Sequence, residues 1–322
     1  MPTKLTTLTP SSLSTFRQCP RRYFYTYEAK RVALKVSDAL SFGTLMHGAL
    51  EKWWGANSAI GGRMQASMGY IDQGTLEDEG DAPFKAAALM ASYNPPVHSY
   101  GVTAIEKEFC EKIESPKGGR CFRGYRISGK IDLVLVKNGD PWVADHKTHK
   151  GSIDPGGQYF GALEIDSQMG IYCLATGARG FVYDVIQKPG IKCCAKDEKA
   201  AQAHNDNLSE DHESSEEWTD KDAYFERLRE TIQDDPSAYY QWVPYTLTDQ
   251  DLHEAKERLW SSVDVFHYHR KRGLWEQRTE GCITRYGACP YLDVCCGRAM
   301  IDDDGRYRDK VRQHEELEGV GE

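Results

Sequence analysis

Three charged residues, Asp132, Asp145 and Lys147, stand in or at the end of apolar segments that have no structural need of charge. In Gly129-Lys-Ile-Asp132-Leu-Val-Leu-Val an acid interrupts a run that otherwise reads as a buried strand, where an unpaired carboxylate is costly. In Trp142-Val-Ala-Asp145-His-Lys147-Thr a second apolar strand ends in an acid and a lysine, which period-two alternation puts on the same face. Paired as a hairpin, the two strands would bring both acids to one divalent cation, and hard carboxylate oxygens favour Mg²⁺ or Mn²⁺. Lys147 would orient or help deprotonate an attacking water and offset charge on phosphoryl oxygens, while the metal polarises the phosphate. That is the chemistry of phosphodiester hydrolysis. The plainer reading is an Asp–Lys ion pair at a strand end, with no functional content. The second acid on the adjoining strand, and a following helix with polar anchors, weigh against it.

The elements needed to hold these residues can be read from the same sequence. Ser11, Ser12 and Ser14 offer N-cap oxygens for a first helix running through Cys19-Pro-Arg-Arg-Tyr-Phe-Tyr, with a turn or kink at Pro20. A second helix is expected from near Ser41, with Leu45, His47, Leu50 and Trp54 at spacings that give one mainly apolar face. Residues 56–96 read as a helical insertion. Strands follow at 102–109, 125–136 and 142–145, separated by the turn signals Pro116-Lys-Gly-Gly and Asn138-Gly-Asp-Pro. A Gly-rich loop, a helix over 161–176 and a strand over 181–187 complete a strand-strand-strand-helix-strand order. Helical patterns resume at 224–232 and 249–271. The expectation is an α/β fold in a single domain spanning 1–322, with a central mixed sheet of about four to five strands flanked by helices.

Four stretches together resemble the RecB-like branch of the PD-(D/E)XK nuclease superfamily. They are Phe42-Gly-Thr-Leu-Met-His47, Gly129-Lys-Ile-Asp132, Ala144-Asp145-His-Lys147-Thr and Gln168-Met-Gly-Ile-Tyr172. The resemblance implies a restriction-endonuclease-like core in which His47, Asp132 and Asp145 bind the metal, joined by the backbone carbonyl of His146, and Lys147 is catalytic. It also implies that Gln168 and Tyr172, one helical turn apart, lie beside the site and bind substrate. Taken alone, His47 reads as a hydrogen-bonded core histidine, and Tyr172 as core beside Ile171 and Leu174. Glu106, on the first strand, reads either as support for the metal shell or as a strand-edge charge.

Ten cysteines without a recognisable secretion signal direct attention to metal ligation rather than disulfides. Cys282, Cys289 and Cys295 have six and five residues between them, within a cysteine-rich segment at about 280–298. Cys19, followed by Pro20-Arg-Arg-Tyr, resembles the opening of the iron–sulfur motif in CRISPR-associated adaptation nucleases and AddB-type nuclease domains. That likeness implies a [4Fe–4S] cluster on Cys19, Cys282, Cys289 and Cys295 that joins the N- and C-terminal segments, with Cys296 able to replace Cys295. Structural Zn²⁺ and free thiols are the competing readings.

The net charge of −9 excludes a protein that coats nucleic acid indiscriminately, yet leaves room for a local basic groove in an acidic remainder. Much of the negative excess lies at about 195–222, whose composition is that of a solvated, disordered insertion. No apolar run reaches bilayer length and no apolar leader is recognisable, so the chain is placed in the cytoplasm of a bacterial cell or phage-infected host. The leading expectation is a Mg²⁺- or Mn²⁺-dependent DNA exonuclease or end-processing nuclease, acting on single strands or duplex ends in recombination, repair or spacer acquisition. A helicase, a recombinase or CRISPR adaptation proteins are the candidate partners, and Arg21 and Arg22, among tyrosines, are candidate contacts to a single strand. The alternative is a non-catalytic DNA-binding or assembly subunit that retains the fold.

Overall fold

The computed structural model describes residues 5–34, 38–56, 58–75, 80–207, 217–284, 287–315 and 317. Strand β1 (Thr6–Leu8), helices α1 (Pro10–Gln18) and α2 (Pro20–Tyr23), a π-helical turn at Phe24–Glu28 and strand β2 (Arg31–Ala33) lead to helices α3 (Asp38–Gly55), α4 (Ile60–Thr75) and α5 (Ala82–Ser92). Strands β3 (Gly101–Glu114), β4 (Cys121–Lys137) and β5 (Asp140–His149) follow, then α6 (Gln158–Glu164), α7 (Ser167–Thr176) and β6 (Gly180–Gln187). The rest comprises α8 (Ala195–Asp206), α9 (Asp220–Asp234), β7 (Tyr240–Thr246), α10 (Asp249–Arg272), the two-residue strands β8 (Ile283–Thr284) and β9 (Gly287–Ala288), α11 (Leu292–Cys295) and β10 (Tyr307–Asp309).

Among the described residues the central sheet has six strands and is mixed, ordered β1-β4-β5-β6-β7 with β3 on the other edge of β4. Asn138 and Gly139 both take positive φ, 55° and 90°, which closes a two-residue hairpin turn between β4 and β5 with Lys137 opposite Asp140. The sequence suggested four to five strands. The sheet gains β7, whose Pro244 and partial exposure suit an edge and blur the strand pattern, and β1, only three residues long.

Alternation along the strands builds two cores. Phe181, Tyr183 and Val185 of β6 face one layer, where Leu13 and Phe16 of α1, Ile171 and Tyr172 of α7, and Leu259, Val263 and Phe266 of α10 are buried. Val182 and Ile186 face the other, with Phe42, Met46, Leu50, Trp53 and Trp54 of α3, Leu89 of α5 and Leu228 of α9. The helical insertion read at 56–96 thus supplies α4 and α5 to this second layer.

Three local expectations are corrected. Thr9, rather than a serine, caps α1 in a reciprocal pair with Ser12, because Pro10 is pre-set for the first helical position. The helix stops at Gln18: Cys19 is extended (φ −162°, ψ 110°), as expected for a residue that precedes proline, and α2 starts afresh at Pro20. Within the acidic stretch read as disordered, Ala195–Asp206 is helical, with Asp197 buried against Arg227 at 2.6 Å. Residues 208–216 of that stretch, and 285–286 of the cysteine segment, lie outside the described residues. No helix is long and apolar enough to cross a membrane among the described residues.

Candidate active site

The site lies where the sheet splits. One edge of β4 pairs with β1 at 125–127 and with β5 from Leu133 onward, so Asp132 sits at the end of the unpaired gap. Past Ala144, β5 leaves β4 and continues in parallel with β6, placing Asp145, His146 and Lys147 beside Tyr183, Asp184 and Val185. The split frees the His146 N–H from the ladder, and it donates to Asp132 Oδ2 at 2.7 Å. Asp132 and Asp145, 9% and 2% exposed, thus meet at the fork.

Each polar group there has a defined neighbour. Lys147 Nζ lies 2.6 Å from Asp145 Oδ2 and donates to Gln168 Oε1 at 3.0 Å. The Gln168 amide donates to Asp145 Oδ1 at 3.1 Å and to the Tyr172 hydroxyl oxygen at 2.8 Å. The Tyr172 O–H in turn donates to the Lys130 carbonyl at 2.8 Å. Gly129 beneath this contact leaves room for the Phe109 ring of β3, which a Cβ would meet at 2.7 Å. Asp166 caps α7 by accepting from the Gln168 N–H. His47, from α3, brings Nδ1 to 3.6 Å from Asp132 Oδ2 with its side chain 40% exposed.

Electrostatics follow from this burial. Desolvation pushes the Asp145 carboxyl above its usual range, and the Lys147 charge opposes that shift. Burial alone would depress Lys147, but Asp145 outweighs it and keeps the ammonium firmly protonated. Burial would likewise depress His146; the hydrogen bond and charge of Asp184 overcome it and raise the imidazole. Tyr172 is held neutral, chiefly by burial.

The donor set suits a hard divalent cation. Asp145 Oδ2 is buried with no hydrogen-bond donor among the described residues, its ion-pair contact with Lys147 lying off hydrogen-bond geometry. A buried carboxylate oxygen that is ion-paired but lacks an aligned hydrogen-bond donor is an available ligand. Elsewhere, no three His, Cys, Asp or Glu side chains are gathered closely enough to enclose a metal among the described residues, and the same holds at the fork.

The structure therefore brings Asp132, Asp145, Lys147, His47, Gln168 and Tyr172 together. Gln168 and Tyr172 direct their polar groups at the site's own residues. Arg21 and Arg22 lie elsewhere: Arg21 Nε donates to the Trp275 carbonyl at 2.6 Å, and Arg22 Nη1 to Gln18 Oε1 at 3.4 Å. Glu106 lies across from Asp132, between Ile105↔Leu133 and Lys107↔Ile131, and its Oε2 holds Lys130 Nζ at 2.5 Å. Its φ of 49° is unusual for a residue with a side chain. Sequence reasoning missed Asp184, which meets His146 behind the site, and Tyr93, which donates to Asp184. The signal was available, since Phe181-Val-Tyr-Asp184-Val-Ile is another apolar strand interrupted by an acid.

At the cysteine end, Cys19 is buried and Cys282, Cys289 and Cys295 are partly so. Burial raises the Cys289 thiol, with Cys19 and Cys282 near enough to add to the shift. Burial also raises Cys295, helped by Cys289 and Cys19. Cys289 is thus the common neighbour of Cys19, Cys282 and Cys295, although no three thiols are gathered closely enough to enclose a metal among the described residues. Protein contacts already join the two chain segments there: β2 pairs with β10, the Arg21 N–H donates to the Glu276 carbonyl, and Tyr25, Tyr291 and Tyr307 form a small core beside Cys289 and Cys295.

A solved structure described as that of SSO0001 is similar at 20% identity with a TM-score of 0.26, over 71% of this chain and 75% of that one. No curated protein matches. A family model for the PD-(D/E)XK nuclease superfamily matches residues 7–295, a span containing the fork, its flanking helices and Cys19 through Cys295. With a mixed sheet flanked by helices and two acids and a lysine at its fork, the chain belongs to the PD-(D/E)XK nuclease superfamily.

Proposed function

We propose that the chain is a Mg²⁺- or Mn²⁺-dependent deoxyribonuclease that hydrolyses phosphodiester bonds at or near DNA ends. The supporting observation is the convergence of Asp132, Asp145 and Lys147 at the sheet fork, with Gln168 bridging the acid and the amine. A subunit that only binds DNA has no use for a buried carboxylate pushed toward its neutral form beside an ammonium.

In this reading Asp132, Asp145, His47 and the His146 carbonyl hold the cation. When bound, it supplies charge to the phosphoryl oxygens and acidifies a water. Lys147, kept protonated by Asp145, presents its ammonium to the phosphate and the attacking oxygen. Gln168 keeps the Lys147 amine and the Asp145 carboxylate at fixed separation, and Tyr172 ties Gln168 to the β4 backbone. The pathway is assigned to recombination, repair or spacer acquisition on the family resemblance alone. A helicase, a recombinase or adaptation proteins are proposed as partners on the same ground.

We further read Cys19, Cys282, Cys289 and Cys295 as ligands of a [4Fe–4S] cluster, with Zn²⁺ as the other candidate. The reading rests on the sequence resemblance, with Cys19, Cys282 and Cys295 each near Cys289. Anaerobically purified protein should be brown with about four irons per chain; colourless protein with stoichiometric zinc decides for the alternative.

The decisive assay incubates the protein and Mn²⁺ with end-labelled linear single strands, linear duplex and covalently closed circles. Loss of label from linear DNA, circles surviving, is expected. Efficient cutting of circles rejects the end requirement, and cleavage retained by Lys147→Ala rejects the site.

A further inference from the structure

Behind the fork, on the opposite face of the sheet, a carboxylate is buried where packing alone asks for an aliphatic side chain. Asp184 of β6 is 2% exposed, between Val182 and Ile186, whose side chains belong to the core formed with α3, α5 and α9. Its Oδ2 accepts from the Tyr93 hydroxyl at 2.5 Å and lies 2.7 Å from His146 Nδ1. The parallel register of β5 and β6 sets His146 directly beside Asp184, and Tyr93 arrives from the C-terminal end of α5. The Trp54 ring lies nearly parallel to that of His146 at 6.4 Å, and Trp53 packs edge-on against Tyr93.

An ionised or polar trio of this kind is expensive to bury and is frequently no more stable than apolar residues of the same size. Its location suggests what it does. The His146 peptide lies between Asp145 and Lys147, and its N–H holds Asp132 Oδ2 at 2.7 Å. A ring locked on one side of β5 fixes the backbone from which Asp145 and Lys147 project on the other. It also fixes the donor that sets Asp132.

We propose that Asp184 and Tyr93 are positioning residues of the nuclease centre: through His146 they fix the strand between Asp145 and Lys147, and with it the spacing of the Asp132 and Asp145 carboxylates that take the divalent cation. This rests on reading those two acids as metal ligands. The competing role is a buried hydrogen-bonded tie that only fastens α5 to the sheet.

The test is calorimetric titration of Mn²⁺ into DNA-free protein, alongside thermal melts, for the native chain and for Asp184→Asn, Tyr93→Phe and Asp145→Asn. Groups that orient metal ligands typically alter metal affinity about 10- to 100-fold. Asp184→Asn should weaken Mn²⁺ binding within that range, and Tyr93→Phe, which leaves the His146–Asp184 contact, should weaken it a few-fold. Asp145→Asn should abolish it. Native Mn²⁺ affinity in both Asp184→Asn and Tyr93→Phe, with only a lower Tm, overturns the positioning role. If Asp184→Asn does not fold, native affinity in Tyr93→Phe overturns it. Full Mn²⁺ binding by Asp145→Asn is the distinct result in which the underlying assignment of the metal ligands fails, and this inference with it.

Discussion

Asp145 and Cys289 are both acids that burial pushes toward their neutral forms, yet their surroundings differ. Around Asp145 the positions are set by close polar contacts: the Gln168 amide donating to one carboxylate oxygen, the Lys147 ammonium ion-paired with the other, and the His146 N–H donating to the neighbouring Asp132. At the cysteine end the thiols make long contacts among the described residues, such as Cys19 Sγ at 3.9 Å from the Glu276 carbonyl and Cys282 Sγ at 3.6 Å from that of Arg278. There the scaffold is held instead by β2–β10 pairing, stacked tyrosines, and Arg31 bound to Asp304 and Asp309 at 2.7 and 2.9 Å. Reaction chemistry needs atoms placed within fractions of an ångström, whereas a stapling metal needs ligands brought within reach. The first region should therefore be sensitive in rate and the second in stability.

The largest expected effect is at the fork. Removing a group that moves or stabilises charge in the transition state costs roughly a hundred- to ten-thousand-fold in rate. Lys147→Ala should lower the Mn²⁺-dependent cleavage rate within that range in single-turnover assays, while circular dichroism and the melting curve stay near native. A collapse of the fold instead would make this region structural and erase the contrast.

Cys19→Ser should behave in the opposite sense. The thiol is 7% exposed at the junction of α1 and α2, and a buried hydroxyl without a good partner costs about 1–3 kcal/mol even before a cluster is considered. A lower denaturant midpoint is expected, with the cleavage rate per folded molecule unchanged within a few-fold. α1 is the physical link between the regions: Arg17 Nη2 donates to Ser167 Oγ beside Gln168, and Arg278 Nη1 donates to the Arg17 carbonyl. A Cys19→Ser protein that is stable but slow would show that strain passes along this helix.

The sequence exposed the first region far better than the second. Asp132 and Asp145 are legible because an acid inside an apolar strand violates packing, and Asn138-Gly139 is legible because its turn demands positive φ. Asp184 violates packing in the same way, but its partners His146 and Tyr93 are 38 and 91 residues away, and no spacing rule links them. The gap on β4 that frees the His146 N–H is likewise invisible, since it depends on where three strands part. At the cysteine end, spacing alone left iron, zinc and free thiols open, and only resemblance linked Cys19 to three cysteines more than 260 positions away.

Titration offers a subtler contrast. Where a folded-state pKa is raised, the group's contribution to stability is complete below its unfolded pKa and is lost as pH rises through the folded one. Metal-free protein should therefore lose stability along one limb above pH 3.8, from Asp145, and along another above pH 9.0, from Cys289 and Cys295. Urea melts across pH should show Asp145→Asn diminishing the first limb, to which Glu106, also raised by burial, contributes, and Cys289→Ala diminishing the second. Mn²⁺ should flatten the acid limb alone, because it favours the charged carboxylate.

The smallest effect concerns the arginines beside the cysteines, expected from the sequence to contact a single strand. Arg21 is committed to the fold through the Trp275 carbonyl, with its guanidinium 6.0 Å from the centre of the Tyr25 ring. Among the described residues the hydrogen bond of the Arg22 side chain is a 3.4 Å contact to Gln18, so of the two arginines Arg22 is the more available to a phosphate. One phosphate contact to single-stranded DNA contributes about 0.7 to the slope of log affinity against log salt. In EDTA, where cleavage is suppressed, Arg22→Ala should weaken single-strand binding a few-fold and reduce that slope by about this amount. Arg21→Ala should lower the Tm and leave the slope unchanged. The reverse pattern would mean that the cysteine end presents Arg21 to DNA rather than burying its hydrogen bond in the scaffold, and the division between a reacting region and a holding region would have to be redrawn.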